Sequence, residues 1–411
     1  MEIPREIRPF FRDDSFVAEY DTIIEGCPDS VLAVPPIVSV APIAWATKTD
    51  LSLPAVDSMF YESLRNVKAG YAELYPSVFD PGELRIVPDQ VVETPTPDVS
   101  RPMVLFSGGV DSTAVAIDVL DREPALFTIH GSDLRLENER GWQNVREQVE
   151  SFARSQDLPS HVTRSNFRKM VRYPFLDREF REDLGRRWWG AVQYGTAIPA
   201  LSAPVAYEHG YSPVLQGSGY TEDPTYPTAQ PVYVDELEWV GTTVRVADAD
   251  VSRQEKIARI ADAVRVGNEL TVRSCFESES GHNCSECKKC WRTVVGLILE
   301  GMDPNEVGYR VTPATLAEIR HELTSGETTL SGLEPLFWGG LRERADPDRE
   351  YPYDDVGFFE WLAKTDFEAY RTSAKSRSSL ERIRDAIIRL PYPANVVVYD
   401  NLRPLGRRIS R

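Results

Sequence analysis

The sequence has little cysteine and no long apolar segment. Five cysteines occur in 411 residues, and four of them fall within sixteen residues, so a secreted scaffold held by disulfides is not expected. No apolar run reaches the length of a membrane-spanning helix, and the N-terminus, Met-Glu-Ile-Pro-Arg-Glu, does not resemble a signal peptide. We therefore expect a soluble, cytoplasmic protein without a membrane partner.

Basic residues are also under-represented. The 64 acidic residues outnumber the 46 lysines and arginines, which gives a net charge of −18. This balance argues against a broad basic surface that binds nucleic acid. A local basic groove of Arg164, Arg168, Lys169 and Arg172 is left open, beside the alternative of a solvated helix face. The length predicts two or three domains, and the 42% hydrophobic content is enough for sizeable cores.

Residues 1–100 are predicted to form an N-terminal α+β domain. Phe16–Tyr20 and Val31–Val34 are typical of short strands, and repeated prolines argue against long helices before Asp57. Apolar residues at helical spacing then predict a helix from Asp57 to Tyr75, with Asp57 as its N-cap. Neither this block nor the mainly helical block predicted for residues 301–411 contains recognisable chemistry.

The segment 101–113, Arg-Pro-Met-Val-Leu-Phe-Ser-Gly-Gly-Val-Asp-Ser-Thr, begins the middle domain, residues 101–300. It predicts a buried parallel strand, a glycine-rich turn and a helix, an arrangement that directs unpaired backbone N–H groups at an anion. An ordinary tight turn is the alternative. An aspartate in such a loop calls for a cation such as Mg²⁺ beside the phosphates. The predicted nucleotide ligands are Ser107, Gly108, Gly109, Val110, Asp111, Ser112 and Thr113.

Two further strands are predicted to end beside this loop. His130 ends the strand Ala125–His130, and we expect it either to contact nucleotide or substrate or to be a hydrogen-bonded loop residue. Gly217 and Ser218 follow the strand Pro213–Gln216 and are the next candidates for ligand contact. In the loop after them, Asp223 could hold a metal or position a nucleophile, or simply cap the next element. Asp111, His130 and Asp223 are the candidate catalytic residues.

Cys275, Cys284, Cys287 and Cys290 have the spacing C-x8-C-x2-C-x2-C. Four thiolates so spaced suit one tetrahedral Zn²⁺ in a structural site, with Lys288, Lys289 and Arg292 offsetting the charge. An iron–sulfur cluster and a redox-active pair are the alternatives.

The heptad Ser107–Thr113 resembles the signature of the PP-loop ATP pyrophosphatases. With the cysteine cluster, the chain looks most like the 7-cyano-7-deazaguanine synthases of that superfamily. Gly217–Pro227 corresponds to a Gly…Asp…Tyr-Pro segment of that family, and Ser274-Cys275-Phe276 precedes the zinc knuckle as Ser-Cys-Tyr does there. The resemblance covers approximately Met103 to Leu297. It implies an α/β fold with a Rossmann-like parallel sheet of the adenine nucleotide alpha hydrolase type and a zinc knuckle.

The resemblance also implies ATP, Mg²⁺ and Zn²⁺ as cofactors. The implied reaction is adenylation of a carboxylate or carbonyl oxygen with release of pyrophosphate, after which a nitrogen nucleophile displaces AMP. The family's substrate-recognition motifs are replaced here by Gly131-Ser132-Asp133-Leu134 and Tyr226-Pro227-Thr228-Ala229. We therefore expect a different acceptor, either a small molecule or a modified protein or base, and a homodimer is compatible with the sequence. The alternatives are a sulfur transferase acting on tRNA and a non-catalytic nucleotide-binding module.

Overall fold

A computed structural model gives the fold of the chain and describes residues 2–219, 229–275, 277–325, 330, 334–370, 386–387, 390 and 394. The strands are β1 (Ala18–Tyr20), β2 (Leu51–Asp57), β3 (Ile86–Val92), β4 (Arg101–Leu105), β5 (Ala125–His130), β6 (Ser160–Ser165), β7 (Tyr211–Gly217), β8 (Glu238–Trp239) and β9 (Thr242–Ala247).

The α-helices are α1 (Asp29–Leu32), α2 (Val34–Thr47), α3 (Ser58–Leu74), α4 (Val110–Asp118), α5 (Glu139–Ser155), α6 (Tyr173–Leu184), α7 (Tyr194–Ala200), α8 (Ala203–His209), α9 (Pro231–Val234), α10 (Arg253–Arg265), α11 (Lys288–Leu299), α12 (Thr315–Thr324), α13 (Glu334–Arg344) and α14 (Phe358–Lys364). Short 3₁₀ helices occur at Arg8–Phe10, Leu120–Arg122, Pro304–Val307 and Phe367–Tyr370, and a π-helical turn at Trp189–Gln193. None of the helices in the described part of the chain combines the length and apolar character that crossing a bilayer requires.

The central element is a seven-stranded sheet with the order β1-β6-β5-β4-β7-β9-β8. The five inner strands run parallel, and the edge strands β1 and β8 are antiparallel to their neighbours. Strand β4 is buried at residues 102–105, as expected for a central strand covered on both faces. The prediction of an α/β fold with a mostly parallel sheet is therefore confirmed.

The N-terminal segment contains a second, two-stranded parallel sheet, β2 with β3, connected by α3. The Asp57 carboxylate accepts a hydrogen bond from the Phe60 N–H at 3.0 Å, so the predicted N-cap is confirmed. On the same helix, Tyr71 stacks on Tyr233 with ring centroids 4.3 Å apart. Apolar residues of this segment belong to the same buried cluster as Met103 of β4. The domain boundaries at residues 100 and 300 stay predictions.

The strand predicted at Val31–Val34 and the exclusion of a long helix before Asp57 are both wrong. These residues lie in α1 and at the start of the fourteen-residue helix α2. Pro35 lies in the first turn of α2, where its missing N–H costs nothing, and its carbonyl accepts a hydrogen bond from the Ser39 hydroxyl at 2.8 Å. Helix α2 is apolar on most of its surface and is buried, so packing outweighs the cost of an internal proline at position 42.

The described C-terminal helices form a separate buried cluster. It contains residues of α11 to α14, together with Cys275, Cys290 and Val110, the first residue of α4. This cluster therefore joins the cysteine motif and the C-terminal helices to the loop that follows β4.

Candidate functional site

A cavity of about 170 Å³ opens at the carboxyl ends of β4, β5 and β7. Ser107 follows β4, Ile129 lies near the end of β5, and Gly217 ends β7, and all three line the cavity. From β4 the chain builds the sheet first through β5 and β6 on one side and later through β7 and β9 on the other. The cavity therefore lies where the strand order reverses, which is the usual ligand position in open α/β sheets.

The segment Ser107–Thr113, hereafter the glycine loop, turns the chain from β4 into α4. Gly108 adopts a φ of +71°, a conformation that residues with a side chain rarely adopt. The Ser107 N–H donates to the Ser112 hydroxyl oxygen at 3.2 Å, and that hydroxyl donates to the Gly109 carbonyl at 3.2 Å. The first N–H groups of α4 have no partner within the helix. The loop thus presents backbone donors and the positive end of a helix dipole to the cavity.

Three cationic side chains, Arg253, Arg273 and Lys289, line the cavity around this loop. The Arg273 N–H donates to the Gly108 carbonyl at 2.7 Å, and its guanidinium pairs with Asp133 at 3.4 Å. Burial, reinforced by the positive charge of Arg253, lowers the pKa of Lys289 to about 7. The lining carries these three basic side chains against two carboxylates, Asp111 and Asp133, and this slight excess of positive charge in a chain with a net charge of −18 favours an anionic ligand.

Asp111 has protein cations as partners. Its carboxylate lies 3.4 Å from Arg253 Nη1 and 3.7 Å from Lys256 Nζ. Lys256 is fully buried and donates to the Ser218 carbonyl at 2.6 Å. Burial lowers the pKa of Lys256, and the carboxylates of Asp111 and Asp248 oppose that shift. Asp111 Oδ1 is buried and has no hydrogen-bond partner in the described part of the chain; its ionic contact is the one with Lys256 Nζ.

Another part of the cavity lining is apolar. It is formed by Leu105, Phe127, Ile129, Leu134, Trp142 and Val145. A charged rim around the glycine loop and an apolar wall beside it suit a ligand with both an anionic and a flat, weakly polar part.

His130 packs behind this wall and does not line the cavity. It is 1% exposed, its ring stacks on Trp142 with centroids 4.5 Å apart, and its Nε2 lies 3.2 Å from the Arg135 carbonyl oxygen. Burial lowers its pKa. These contacts match the alternative of a hydrogen-bonded loop histidine.

The remaining predicted site residues occupy three kinds of position. Gly109, Val110, Asp111 and Ser112 line the cavity, whereas Thr113 and Ser218 are buried behind it, each with a hydroxyl that lacks a partner within the described ranges. A Cβ atom on Gly217 would lie 2.9 Å from the Asp111 carbonyl carbon, so glycine is needed there for close packing of β7 against the loop. Asp223 lies outside the described residues.

The predicted basic groove carries acidic partners. Arg164 pairs with Glu19 at 3.5 Å, and Lys169 pairs with Glu137 at 2.5 Å. These acids offset part of the positive charge that a nucleic acid would need.

The four clustered cysteines converge on one point, with all Sγ atoms within 4.8 Å of one another. The Sγ distances are 3.5 Å for Cys275–Cys284, 3.9 Å for Cys275–Cys287 and 3.8 Å for Cys284–Cys290. Sulfurs at 2.3 Å from a tetrahedral metal ion are about 3.8 Å apart, so the thiols fit such an ion. The distances are far too long for disulfides. The cluster can therefore hold a metal such as zinc.

The cysteine cluster also positions part of the cavity wall. The Asn283 side chain accepts hydrogen bonds from the N–H groups of Ser274 (2.9 Å) and Cys275 (3.2 Å) and donates to the Val272 carbonyl at 2.7 Å. Ser274 and Lys289, neighbours of the clustered cysteines, line the cavity. A metal ion in this cluster would therefore fix the side of the cavity that faces the glycine loop. Lys288, by contrast, pairs with Glu334 at 3.1 Å.

Sequence reasoning did not identify the three cavity cations as ligand-binding candidates. Lys289 lies inside the cysteine motif and Arg273 lies two residues before it, so the motif itself was the signal that could have pointed to both residues. Arg253 follows Ser252, which forms a capping box with Glu255. That capping box marks the start of α10 and hence places Arg253 at a helix terminus.

Comparisons of the chain with models of protein families, with curated proteins and with solved structures gave no match. The function of the site is therefore inferred from its own chemistry.

Proposed function

We propose that the chain is an ATP-dependent adenylating enzyme of the PP-loop ATP pyrophosphatase type, a diverged relative of the 7-cyano-7-deazaguanine synthases with a Rossmann-like, adenine nucleotide alpha hydrolase fold. One observation carries the proposal. The Ser-Gly-Gly-Val-Asp-Ser-Thr loop borders a cavity at the strand-order reversal, and Arg253, Arg273 and Lys289 line that cavity around it.

The charged rim suits the triphosphate. Backbone N–H groups at the start of α4 are available as donors to phosphate oxygens, the Ser112 hydroxyl holds the loop through the Gly109 carbonyl, and Arg273 is tied to the loop through the Gly108 carbonyl. Arg253 has a buried Nε without a hydrogen-bond partner in the described structure, as expected for a group that awaits an anion.

The apolar wall suits the adenine ring. Trp142, Phe127 and Ile129 give flat and branched apolar surface beside the loop. An aromatic base gains from stacking and from removal of its faces from water. The proposal assigns the base to this wall and the phosphates to the rim.

In the proposed reaction, an oxygen of the acceptor attacks the α-phosphorus of ATP. The bond between that phosphorus and the bridging oxygen breaks, and pyrophosphate leaves with the electron pair. A nitrogen nucleophile then attacks the adenylated carbon, AMP departs with the C–O electron pair, and the nitrogen loses its proton to solvent. The cationic rim stabilises the charge that develops on the leaving pyrophosphate.

Each metal ion has a separate role in the proposal. Asp111 Oδ1, which is buried and lacks a hydrogen-bond partner within the described ranges, is the candidate ligand for Mg²⁺, an ion that would neutralise phosphate charge. Zn²⁺ in the four-cysteine cluster is structural, because four thiolates leave no open coordination position. The zinc site acts on the reaction only by holding Ser274 and Lys289 in place.

The test is release of pyrophosphate from ATP in the presence of a panel of carboxylate and carbonyl acceptors with ammonia. We expect acceptor-dependent pyrophosphate release, and expect Ser112→Ala to reduce it at least tenfold. Ser52→Ala, at an exposed position of β2, is the matched control and keeps full activity. Release of orthophosphate alone would refute adenylation, and ATP binding without turnover across the panel would favour a non-catalytic nucleotide-binding module.

A further inference from the structure

A second cavity, of about 430 Å³, lies between α10, α11 and α13. Arg253 lines both this cavity and the first one, so the two share a wall. The second cavity is bordered by Ile257 of α10 and by Phe337 and Leu341 of α13, which give it an apolar body.

The second cavity is also lined by Arg292, whose guanidinium is partly buried. Nε and Nη1 of Arg292 are buried and have no hydrogen-bond partner among the described residues. The guanidinium lies over the ring of Phe337, with the central carbon 4.3 Å from the ring centroid. The Glu334 carboxylate pairs with Lys288 at 3.1 Å and also acts on Arg292 through its charge. Buried N–H groups of a guanidinium that lack an acceptor are costly, which points to an anion that is bound in use.

The other arginines of this cavity have acid partners, although Arg253 Nε has no hydrogen-bond partner among the described residues. Arg344 makes two hydrogen bonds to the Glu300 carboxylate, at 3.0 and 3.1 Å. Arg253 is 3.4 Å from Asp111 and 3.4 Å from the Thr293 hydroxyl. Arg292 therefore stands out as the guanidinium on this wall whose Nε and Nη1 hydrogen-bonding capacity is unused within the described structure.

We propose that the second cavity is the acceptor site of the enzyme and binds a small molecule with a carboxylate on an apolar body, the carboxylate pairing with Arg292. The assignment of the bound molecule as the acceptor rests on the proposed adenylating function. The anion site itself rests on the geometry of Arg292 alone. Arg253 lines both cavities, so an acceptor in the second cavity would lie next to the nucleotide in the first, as transfer between them requires.

The test uses 4-fluorobenzoate and its neutral analogue 4-fluorobenzamide, with binding followed by ¹⁹F NMR of the probe in the absence of nucleotide. We expect the carboxylate to bind at least tenfold more tightly than the amide. We expect Arg292→Met to abolish this preference, and Arg292→Lys to retain part of it, because the charge remains but the planar donor pair is lost. Arg140→Met, at an exposed position of α5, is the matched control and leaves both affinities unchanged.

The proposal is overturned if the protein binds neither probe below about 10 mM, binds the two equally, or binds the carboxylate equally well after Arg292→Met. Displacement of the carboxylate by ATP would assign the probe to the first cavity and would also overturn it. If Arg292→Met does not fold, the proposal is tested by the ratio of the carboxylate and amide affinities, measured on the wild-type protein and on Arg292→Lys. ATP binding is measured separately, so failure of the acceptor site and failure of the nucleotide proposal are distinguishable.

Discussion

Gly217, the last residue of β7, packs directly on the main chain of Asp111 in the glycine loop. A Cβ atom at position 217 would lie 2.9 Å from the Asp111 carbonyl carbon and 3.2 Å from the Ser112 nitrogen. Both atoms belong to the backbone, so they cannot rotate away from a new methyl group. The contact ties the position of the loop to the adjacent strand across the point where the strand order reverses.

Gly217→Ala should therefore displace the glycine loop. We expect a loss of about 1–3 kcal/mol in unfolding free energy from overpacking, and at least tenfold weaker ATP binding. Denaturant unfolding and nucleotide titration measure the two effects. Gly190→Ala, where an added Cβ meets nothing within 4 Å, is the control and should leave both quantities unchanged; equal behaviour of the two variants would contradict the contact.

Lys256 should be essential for stability. It is fully buried, donates to the Ser218 carbonyl at 2.6 Å and lies 3.7 Å from Asp111 Oδ1. Lys256→Met removes the charge and leaves the Asp111 carboxylate with one cation, so we expect a loss of about 3–5 kcal/mol in unfolding free energy. The control is Lys364→Met, which removes an exposed pair with Glu360 and should cost less than about 0.5 kcal/mol. A loss for Lys256→Met as small as the control's would refute this role.

The cysteine cluster should carry one zinc ion per chain. Metal analysis of the purified protein checks the stoichiometry, and Cys290→Ala should remove the ion and lower the unfolding midpoint, because binding energy of a structural metal is folding energy. Cys27→Ala, outside the cluster, should retain the zinc. A metal-free protein with four reduced thiols, or one that contains iron and sulfide, would contradict the zinc assignment.

Acid should destabilise the fold partly through His161. Burial, reinforced by His209, lowers the pKa of His161 to about 4 from the usual 6.5, and its Nε2 lies 3.0 Å from the Tyr211 hydroxyl. The unfolded chain binds the proton more readily, so the stabilisation is present above pH 6.5 and is lost as the pH falls from 6.5 towards 4. The loss should be on the order of 2 kcal/mol for the wild type and smaller for His161→Gln. Parallel unfolding profiles of the two proteins between pH 7.5 and 4.5 would contradict this.

The central strand–loop–helix unit of the sheet could be predicted from the sequence, but the N-terminal helices α1 and α2 could not. The apolar run of β4, the glycine-rich turn and the amphipathic pattern of α4 are local signals, and each corresponds to an observed element. Helix α2 was missed because prolines usually end helices, whereas here Pro35 and Pro36 lie in the first turn and Pro42 is held by packing. Such packing is a property of the whole chain and has no local signature.

The candidate site was predictable to a similar extent. The glycine loop and the four cysteines are close in sequence and were identified, but Arg253 and Arg273 reach the loop from 142 and 166 positions away. Their convergence depends on how α10 and the cysteine motif pack on the sheet. His130 shows the converse case, because the end of a strand suggested ligand contact while its ring is buried against Trp142.

The most direct test of the account is calorimetric titration of the zinc-loaded protein with ATP and Mg²⁺. We predict one ATP per chain, at least tenfold weaker binding for Arg273→Met, and unchanged binding for Arg140→Met. Absence of ATP binding, or binding that Arg273→Met leaves unchanged, would contradict the claim that the cavity at the glycine loop is a nucleotide site.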